Sequence, residues 1–336
     1  MQDVTDLPFM RVLARRGSPD WFVTEYFRVH QDSKLNGYIL RSIDENETGR
    51  PIFAQMIGRD IPALVGTAGE LARHPIAGID LNLGCPAPIV CRKDAGGGLL
   101  RDPEMVDRII GTLRDAFPGR FTVKTRVGYH DSSEFRGLLE IFRRHAIDGL
   151  TVHGRTVGER YATPVHPECV RAAVESLSCP VIANGNVVDV ETGRAYLGLT
   201  GAAGLMVGRG AIRNPWIFSQ LAAAFEGGAP MVPTRRDLLE YIRDLYDEMA
   251  LESLRFDPLS HVQRMKRPLV YISHGLDQTF EQQIRRAKTP EEFSAICAAH
   301  LDNDDPLPVR PPVESKLFCG FEDLAADRLN ASGGGS

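Results

Sequence analysis

Between residues 20 and 210 the chain repeats one pattern: a short run of β-branched and other apolar residues, then a longer amphipathic stretch, then another run. Such alternation predicts consecutive βα units, because a parallel neighbour needs a crossover long enough to return the chain to the same end of the sheet. The candidate strands are residues 22–27, 52–55, 78–83, 122–125, 149–153, 180–183 and 204–207. Helical patterns separate them, such as 102–117, which opens on Asp-Pro, and 132–145, whose apolar residues recur at three- and four-residue spacing. The fold class is α/β, and the expected architecture is a (β/α)8 TIM barrel. Seven strands are visible, and residues 7–14 read as a helix that should follow a strand lying at or before Met1. A closed barrel of this type has eight strands. The expectation is therefore a first strand truncated at the N-terminus of the sequence as given.

After Trp216 the β-runs stop, and residues 235–254 and 259–273 show helical periodicity rich in Leu, Tyr, Arg and Lys. The predicted organisation is a barrel over 1–225, a small helical domain over 235–325 and a flexible tail over 326–336. The proline-rich stretch 302–312 reads as an irregular connector. Pro268 lies inside a helical pattern, where the helix is expected to kink or start.

Composition bounds the function. At 43% hydrophobic and 25% charged residues the chain sits near the globular average, so its 336 residues can bury a large core. No apolar run approaches the roughly 18 residues that cross a bilayer. The opening MQDVTDLPFM lacks the basic-then-apolar layout of a secretion signal, which predicts a cytoplasmic location. None of the six cysteines forms a CxxC pair, which argues against a zinc ribbon or a thioredoxin-type centre; reduced thiols and no metal are expected. A net charge of -5 disfavours a protein that coats nucleic acid nonspecifically, since that affinity comes from Lys and Arg neutralising phosphates. Any RNA site must be a local basic patch.

In a (β/α)8 barrel the C-terminal ends of the strands form the active face. Polar residues stand at that end of almost every strand: Glu25, Gln55, Asn82 with Cys85, Lys124 with Arg126, His153 with Arg155, Asn184 with Asn186, and Gly208-Arg209-Gly210. Any one could be a cap or a turn residue; seven at equivalent places point to a site. The last two loops occupy the position where barrels bind phosphate through backbone N–H groups and a helix N-terminus, so a phosphorylated ligand is expected. Glycine there lets the backbone come close, and Arg209 can add a charged fork. The sharpest segment is 80–88, Asp-Leu-Asn-Leu-Gly-Cys-Pro-Ala-Pro. A lone cysteine is ordinarily a small buried hydrophobe. Here Gly84 and Pro86 fix an irregular loop, and the triple glycine at 96–98 can fold back beside it, which favours a functional, solvent-reachable thiol.

Taken together, NLGCP, the GGGLL that follows it, VKTRVGYHD, LTVHGRT, IANGN and GLMVGRGAIRNPWIF resemble the tRNA-dihydrouridine synthases of bacterial type. VTDLPF near the start and HVQRMKRPLVYI among the later helices extend the resemblance over nearly the whole chain. It implies an FMN-binding barrel, a C-terminal helical tRNA-binding domain, and reduction of a uridine C5–C6 bond with NADPH (or NADH) as reductant. Hydride would pass from N5 of FMN to C6, and Cys85 would protonate C5. A free thiol titrates near 8.5 and stays mostly protonated at neutral pH, which suits an acid better than a nucleophile.

The resemblance also implies that Gln55 and Lys124 hydrogen-bond the flavin ring and that His153 lies against it. Asn184, Asn186, Gly208 and Arg209 would hold the ribityl chain and phosphate. Met1 would be the remnant of an Ala-Pro-Met segment whose backbone touches the flavin. Glu25, Asn82 and Arg126 fall on the substrate side, and Arg264 and Lys266, with Arg92, Lys93 and Arg267, are candidate contacts to the tRNA backbone. A flipped-out uridine of an open D-loop is the expected target, and the VTEYFRV and GGGLL segments look more like the bacterial subgroup that modifies one early D-loop position. A monomer is expected. Two other readings stand beside this one. An FMN barrel resembling dihydroorotate dehydrogenases or old yellow enzyme, acting on a small molecule, would not need a basic helical domain. A non-catalytic tRNA-binding barrel would hold no flavin.

Overall fold

The computed structural model describes residues 4–252 and 256–324, which divide into two compact units. The sheet unit comprises Asp20–Val187, Glu191–Val207 and the described residues from Cys319 onward. The helical unit comprises the described residues up to Pro19, Val188–Val190 and Gly208–Phe318. Met1 and the predicted tail at 326–336 lie outside the described residues.

The sheet is all-parallel: β1 (Phe22–Val23), β2 (Phe27–Arg28), β3 (Ile52–Ile57), β4 (Gly78–Leu83), β5 (Phe121–Arg126), β6 (Gly149–His153), β7 (Val181–Asn184) and β8 (Gly204–Met206). β1 and β2 both pair with β3, so together they fill one strand position and the sheet has seven positions. Each predicted strand is present, within two residues at its ends, except that the run 22–27 is divided into β1 and β2. Helices Gly37–Asp44, Ile61–Leu71, Pro103–Ala116, Phe135–Arg144 and Pro167–Ser176 follow the successive strands, giving the (β/α)8 TIM-barrel architecture. Among the described residues no ladder joins β8 to β1. Local sequence explains the helix starts. Asp102 accepts from the N–H of Met105 at 3.1 Å, and Pro103 takes the first helical position, where its missing N–H costs nothing.

The first strand position carries a one-residue offset. Val23 pairs with Phe53 and Phe27 with Met56, so Thr24, Glu25 and Tyr26 stand opposite only Ala54 and Gln55. This is a β-bulge, which bends the strand and re-aims its side chains. Thr24 repairs the interrupted ladder, its Oγ1 accepting from the N–H of Gln55 at 3.0 Å.

The helical unit contains Leu7–Gly17, Arg209–Arg213, Ile217–Phe225, Arg235–Leu251, Pro258–Ile272, Gln278–Arg286 and Pro290–Leu301. The first of these is tied to Arg235–Leu251 and its C-terminal end by Arg11–Glu252 and Arg15–Glu248 ion pairs, both at 2.8 Å. Helix Pro258–Ile272 runs through Pro268 and does not start there, because Asp257 and Pro258 supply the stronger N-terminal signal: the Asp257 carboxylate accepts from Ser260 N–H at 2.8 Å. The connector over 302–312 carries no helix. It is gripped by the buried Arg213, which donates to the carbonyls of Pro308 at 3.0 Å and Val309 at 3.2 Å. Among the described residues no helix is long and apolar enough to cross a membrane.

Candidate active site

Parallel pairing puts residues in register on the same face of the sheet, and residues two apart on one strand share that face too. Three rows follow. The lowest pairs Gln55 with Asp80 and Asp80 with Thr122; the next pairs Asn82 with Lys124 and Lys124 with Thr151. The uppermost pairs Arg126 with His153, His153 with Asn184, and Asn184 with Met206. Gln55, Asn82, Lys124, Arg126, His153 and Asn184, singled out one strand at a time in the sequence, therefore occupy a single face near the C-terminal ends. Most of the intervening positions on these strands, including Ile79, Leu81, Leu83 and Val123, point to the helices and are fully buried.

Burial of polar groups demands partners, and β3 and β4 meet that demand with a chain of hydrogen bonds. The Asp80 carboxylate accepts from Thr122 Oγ1 at 2.6 Å and from Gln55 Nε2 at 2.8 Å. Gln55 Oε1 accepts from Asn82 Nδ2 at 2.8 Å, and Asn82 Oδ1 accepts from the backbone N–H groups of Gly84 and Cys85, both at 3.0 Å. The chain fixes both amide orientations and leaves each with a second N–H proton. It also holds the loop that carries Cys85. Burial raises the Asp80 carboxyl above its ordinary range, opposed by its bonds to Thr122 and Gln55. Asp80 had no role in the sequence reading, although a carboxylate inside an apolar strand was the available signal.

Cys85 is half-buried. Its carbonyl accepts from Gly97 N–H at 3.0 Å, so the triple glycine does fold back on the cysteine loop. Gly96 adopts φ +54°, and a Cβ there would come within 3.1 Å of the Cys85 Cβ, which is why glycine is required. Beside it, Lys124 is pushed down to about 8, chiefly by burial and next by the Arg126 guanidinium, with Asp80 and Cys85 pulling the other way. Among the described residues its ammonium makes no hydrogen bond or ion pair. Arg126 is 1% exposed and ties loops together: Nε donates to Gly84 O at 2.9 Å, and Nη1 to Thr156 O at 2.8 Å and Arg160 O at 2.7 Å. Its guanidinium lies 5.1 Å from the ring centroid of Tyr161, which meets the buried His153 edge-on at 6.0 Å.

The remaining predicted residues are placed as follows. Asn184 donates to Met206 O at 2.8 Å. Asn186, in a left-handed conformation at φ +56°, accepts from the fully buried Arg155 at 2.8 Å and donates to Gly320 O at 2.5 Å. Glu25 is half-buried in the bulge. Gly208 and Arg209 belong to the helical unit, where Gly208 precedes the short helix Arg209–Arg213 and Arg209 donates to Leu317 O. Arg264 and Lys266 are half-buried on helix Pro258–Ile272 of that unit. Tyr26, adjacent to Glu25, was missed. Burial, followed by the nearby Cys85 thiol, pushes its phenol up to about 12.

The sequence profile described as "Dihydrouridine synthase (Dus)" matches residues 1–304. The chain belongs to the dihydrouridine synthase family. It is an enzyme of that class. Among its relatives, the tRNA-dihydrouridine(16) synthase of Neisseria meningitidis serogroup A is 32% identical over 311 residues, 89% of this chain and 92% of the relative. The tRNA-dihydrouridine synthase B of Pseudomonas putida is 34% identical over 256 residues, 73% of this chain and 74% of the relative. A histamine dehydrogenase from Rhizobium sp. 4-9 shares 13% identity over 71% of this chain and 47% of that one, with a TM-score of 0.47.

Proposed function

We propose that this dihydrouridine synthase reduces the C5–C6 bond of a tRNA D-loop uridine with bound FMN, taking its electrons from NADPH (or NADH), and that Cys85 is the acid that protonates C5. tRNA dihydrouridine synthesis is the activity of the family. The observation that carries the finer reading is a half-buried thiol beside a row of amide and ammonium donors on adjacent strands. FMN fits that donor set. The spare N–H protons of Gln55 and Asn82 and the unpartnered Lys124 ammonium are donors without acceptors, and the pyrimidine edge of a flavin is an acceptor-rich partner for them.

In this reading Gln55 and Lys124 bind the flavin ring, and Lys124 favours its reduced, anionic form. His153 packs against the flavin. Asn184, Asn186, Gly208 and Arg209 serve the ribityl phosphate, and Met1 the flavin through its backbone. Asn82 and Glu25 face the uracil, and Arg126 keeps the Cys85 loop in position at the substrate side. When bound, FMN supplies the hydride for C6. Cys85 supplies the proton: its S–H bond breaks as the new C5–H bond forms, and the electron pair stays on sulfur.

Residues 1–225 form the catalytic barrel in this proposal and 235–325 the tRNA-binding domain, with Arg264 and Lys266 against the backbone. The helical unit that follows β8 supports tRNA over a small enone or quinone as oxidant. The target uridine we propose is the one at position 16, the position in the name of the Neisseria relative. The test is an absorption spectrum between 350 and 500 nm. Flavin bands that bleach with NADPH and return with unmodified tRNA are expected; bands that return with a small enone or quinone and not with tRNA would overturn the proposal.

A further inference from the structure

We propose that residues 317–320 form an internal strap that competes with FMN for the donors of its ribityl phosphate, so that loading the flavin displaces the strap. This rests on the assignment of Asn186 and Arg209 to that group. Two observations, one in each unit, support it. In the sheet unit the Gly320 carbonyl accepts from Asn186 Nδ2 at 2.5 Å and the Cys319 carbonyl from Arg155 Nη2 at 3.2 Å. The same Arg155 nitrogen donates to Asn186 Oδ1 at 2.8 Å and so orients that amide. In the helical unit Arg209 donates to Leu317 O, and its guanidinium lies 5.6 Å from the Phe318 ring centroid. Three carbonyls within four consecutive residues thus accept from side chains that follow β6, β7 and β8 in the chain.

The seat is shaped for this segment. Gly320 adopts φ +74°, and a Cβ there would come within 2.9 Å of Thr163 O and 3.3 Å of Asn186 Nδ2, so glycine is what lets the backbone approach this closely. Cys319 Sγ donates to Tyr161 O, and the side chains of Phe321 and Leu324 are buried. Arg155 and Asn186 are buried too, and a buried donor left without an acceptor is costly. The strap carbonyls meet that demand before FMN does. A carbonyl is a neutral acceptor, whereas a phosphate oxygen is charged and accepts from a guanidinium roughly twice as strongly. The exchange therefore favours FMN: the phosphate takes the donors, and a strap held by neutral acceptors gives way.

The experiment is hydrogen–deuterium exchange of the full chain, stripped of flavin and then saturated with FMN, beside FMN titrations of the parent and of Gly320→Ala. Peptides over 317–324 should exchange faster with FMN bound. Gly320→Ala, strained at positive φ and crowded by Thr163, weakens the strap. It should tighten FMN binding by up to about tenfold, because apparent affinity rises with the fraction of chains whose donors are available. Slower exchange with FMN would make the segment a lid that closes over the flavin, and unchanged exchange would make it a fixed part of the fold. Either result overturns the proposal, whether or not Gly320→Ala folds. A chain that binds no FMN removes the flavin reading and the strap with it, whereas FMN binding with an unmoved segment removes the strap alone.

Discussion

Two groups of arginines in this molecule obey different rules. Arg126 and Arg155, at the strand ends of the sheet unit, are 1% and 0% exposed, and each donates to at least two backbone or amide oxygens. Arg264 and Arg267, on helix Pro258–Ile272 of the helical unit, are half-buried and exposed respectively. A buried guanidinium without partners would be prohibitively costly, so its surroundings must be built to one geometry. A guanidinium nearer the surface keeps part of its hydration, so its surroundings are under a weaker demand. The strand-end site is therefore fixed by folding more tightly than the helix that carries Arg264 and Arg267.

The largest effect expected is on chemistry. Cys85→Ala should lower dihydrouridine formation by about 10²–10⁴-fold, the usual contribution of a positioned acid, with the flavin spectrum unchanged; parental turnover in a mass-spectrometric tRNA assay would mean that the strand-end network does not present an acid at all. Next is stability. Arg126→Met should cost about 3 kcal/mol in urea unfolding, since it leaves buried carbonyls without donors, whereas Arg267→Met should stay within about 0.5 kcal/mol; equal costs would abolish the contrast between the two groups.

Lys124 sharpens it further. In the folded chain it holds its proton only below about 8, against 10.5 when free, so between those values the unfolded state binds more protons and the Lys124 contribution to stability rises with pH. Lys124→Met should raise Tm at pH 7 and shrink that gain at pH 9, while weakening FMN binding. In the parent, FMN affinity should fall as pH rises through 8, by up to about tenfold per unit; a flat FMN titration from pH 7 to 9 would remove the charged lysine from the flavin site. The smallest effect is at the helix. Arg264→Ala and Lys266→Ala should each reduce the salt slope of tRNA binding by about one, with FMN binding unaltered.

What could be read from the sequence follows the same division. The seven strand positions and their polar ends were visible because a parallel strand needs an apolar run of limited length, and the polar residue after it interrupts that run. Glycine at 96–98 was legible because a fold-back loop needs it. Three things were hidden. The hydrogen-bond chain from Asp80 through Gln55 to Asn82 crosses between strands, and sequence spacing does not record which strand ends meet. The bulge at 24–26 divides the first strand position in two, and a strand drawn as one unbroken run over 22–27 gives no sign of it. The helix across Pro268 was hidden as well, because the start signal at Asp257-Pro258 outweighs one absent N–H.

The offset in the first strand position also bears on how this segment can drift. Loss of a single residue from 24–26 would leave two residues opposite Ala54 and Gln55, so Phe27 would keep its pairing with Met56 and its buried face, and the first strand position would run on as one regular ladder. The sheet would accept such a deletion, and its effect would fall on the strand end, where the bend of residues 24–26 would be lost. The extra residue is thus a demand of the strand end and not of the sheet.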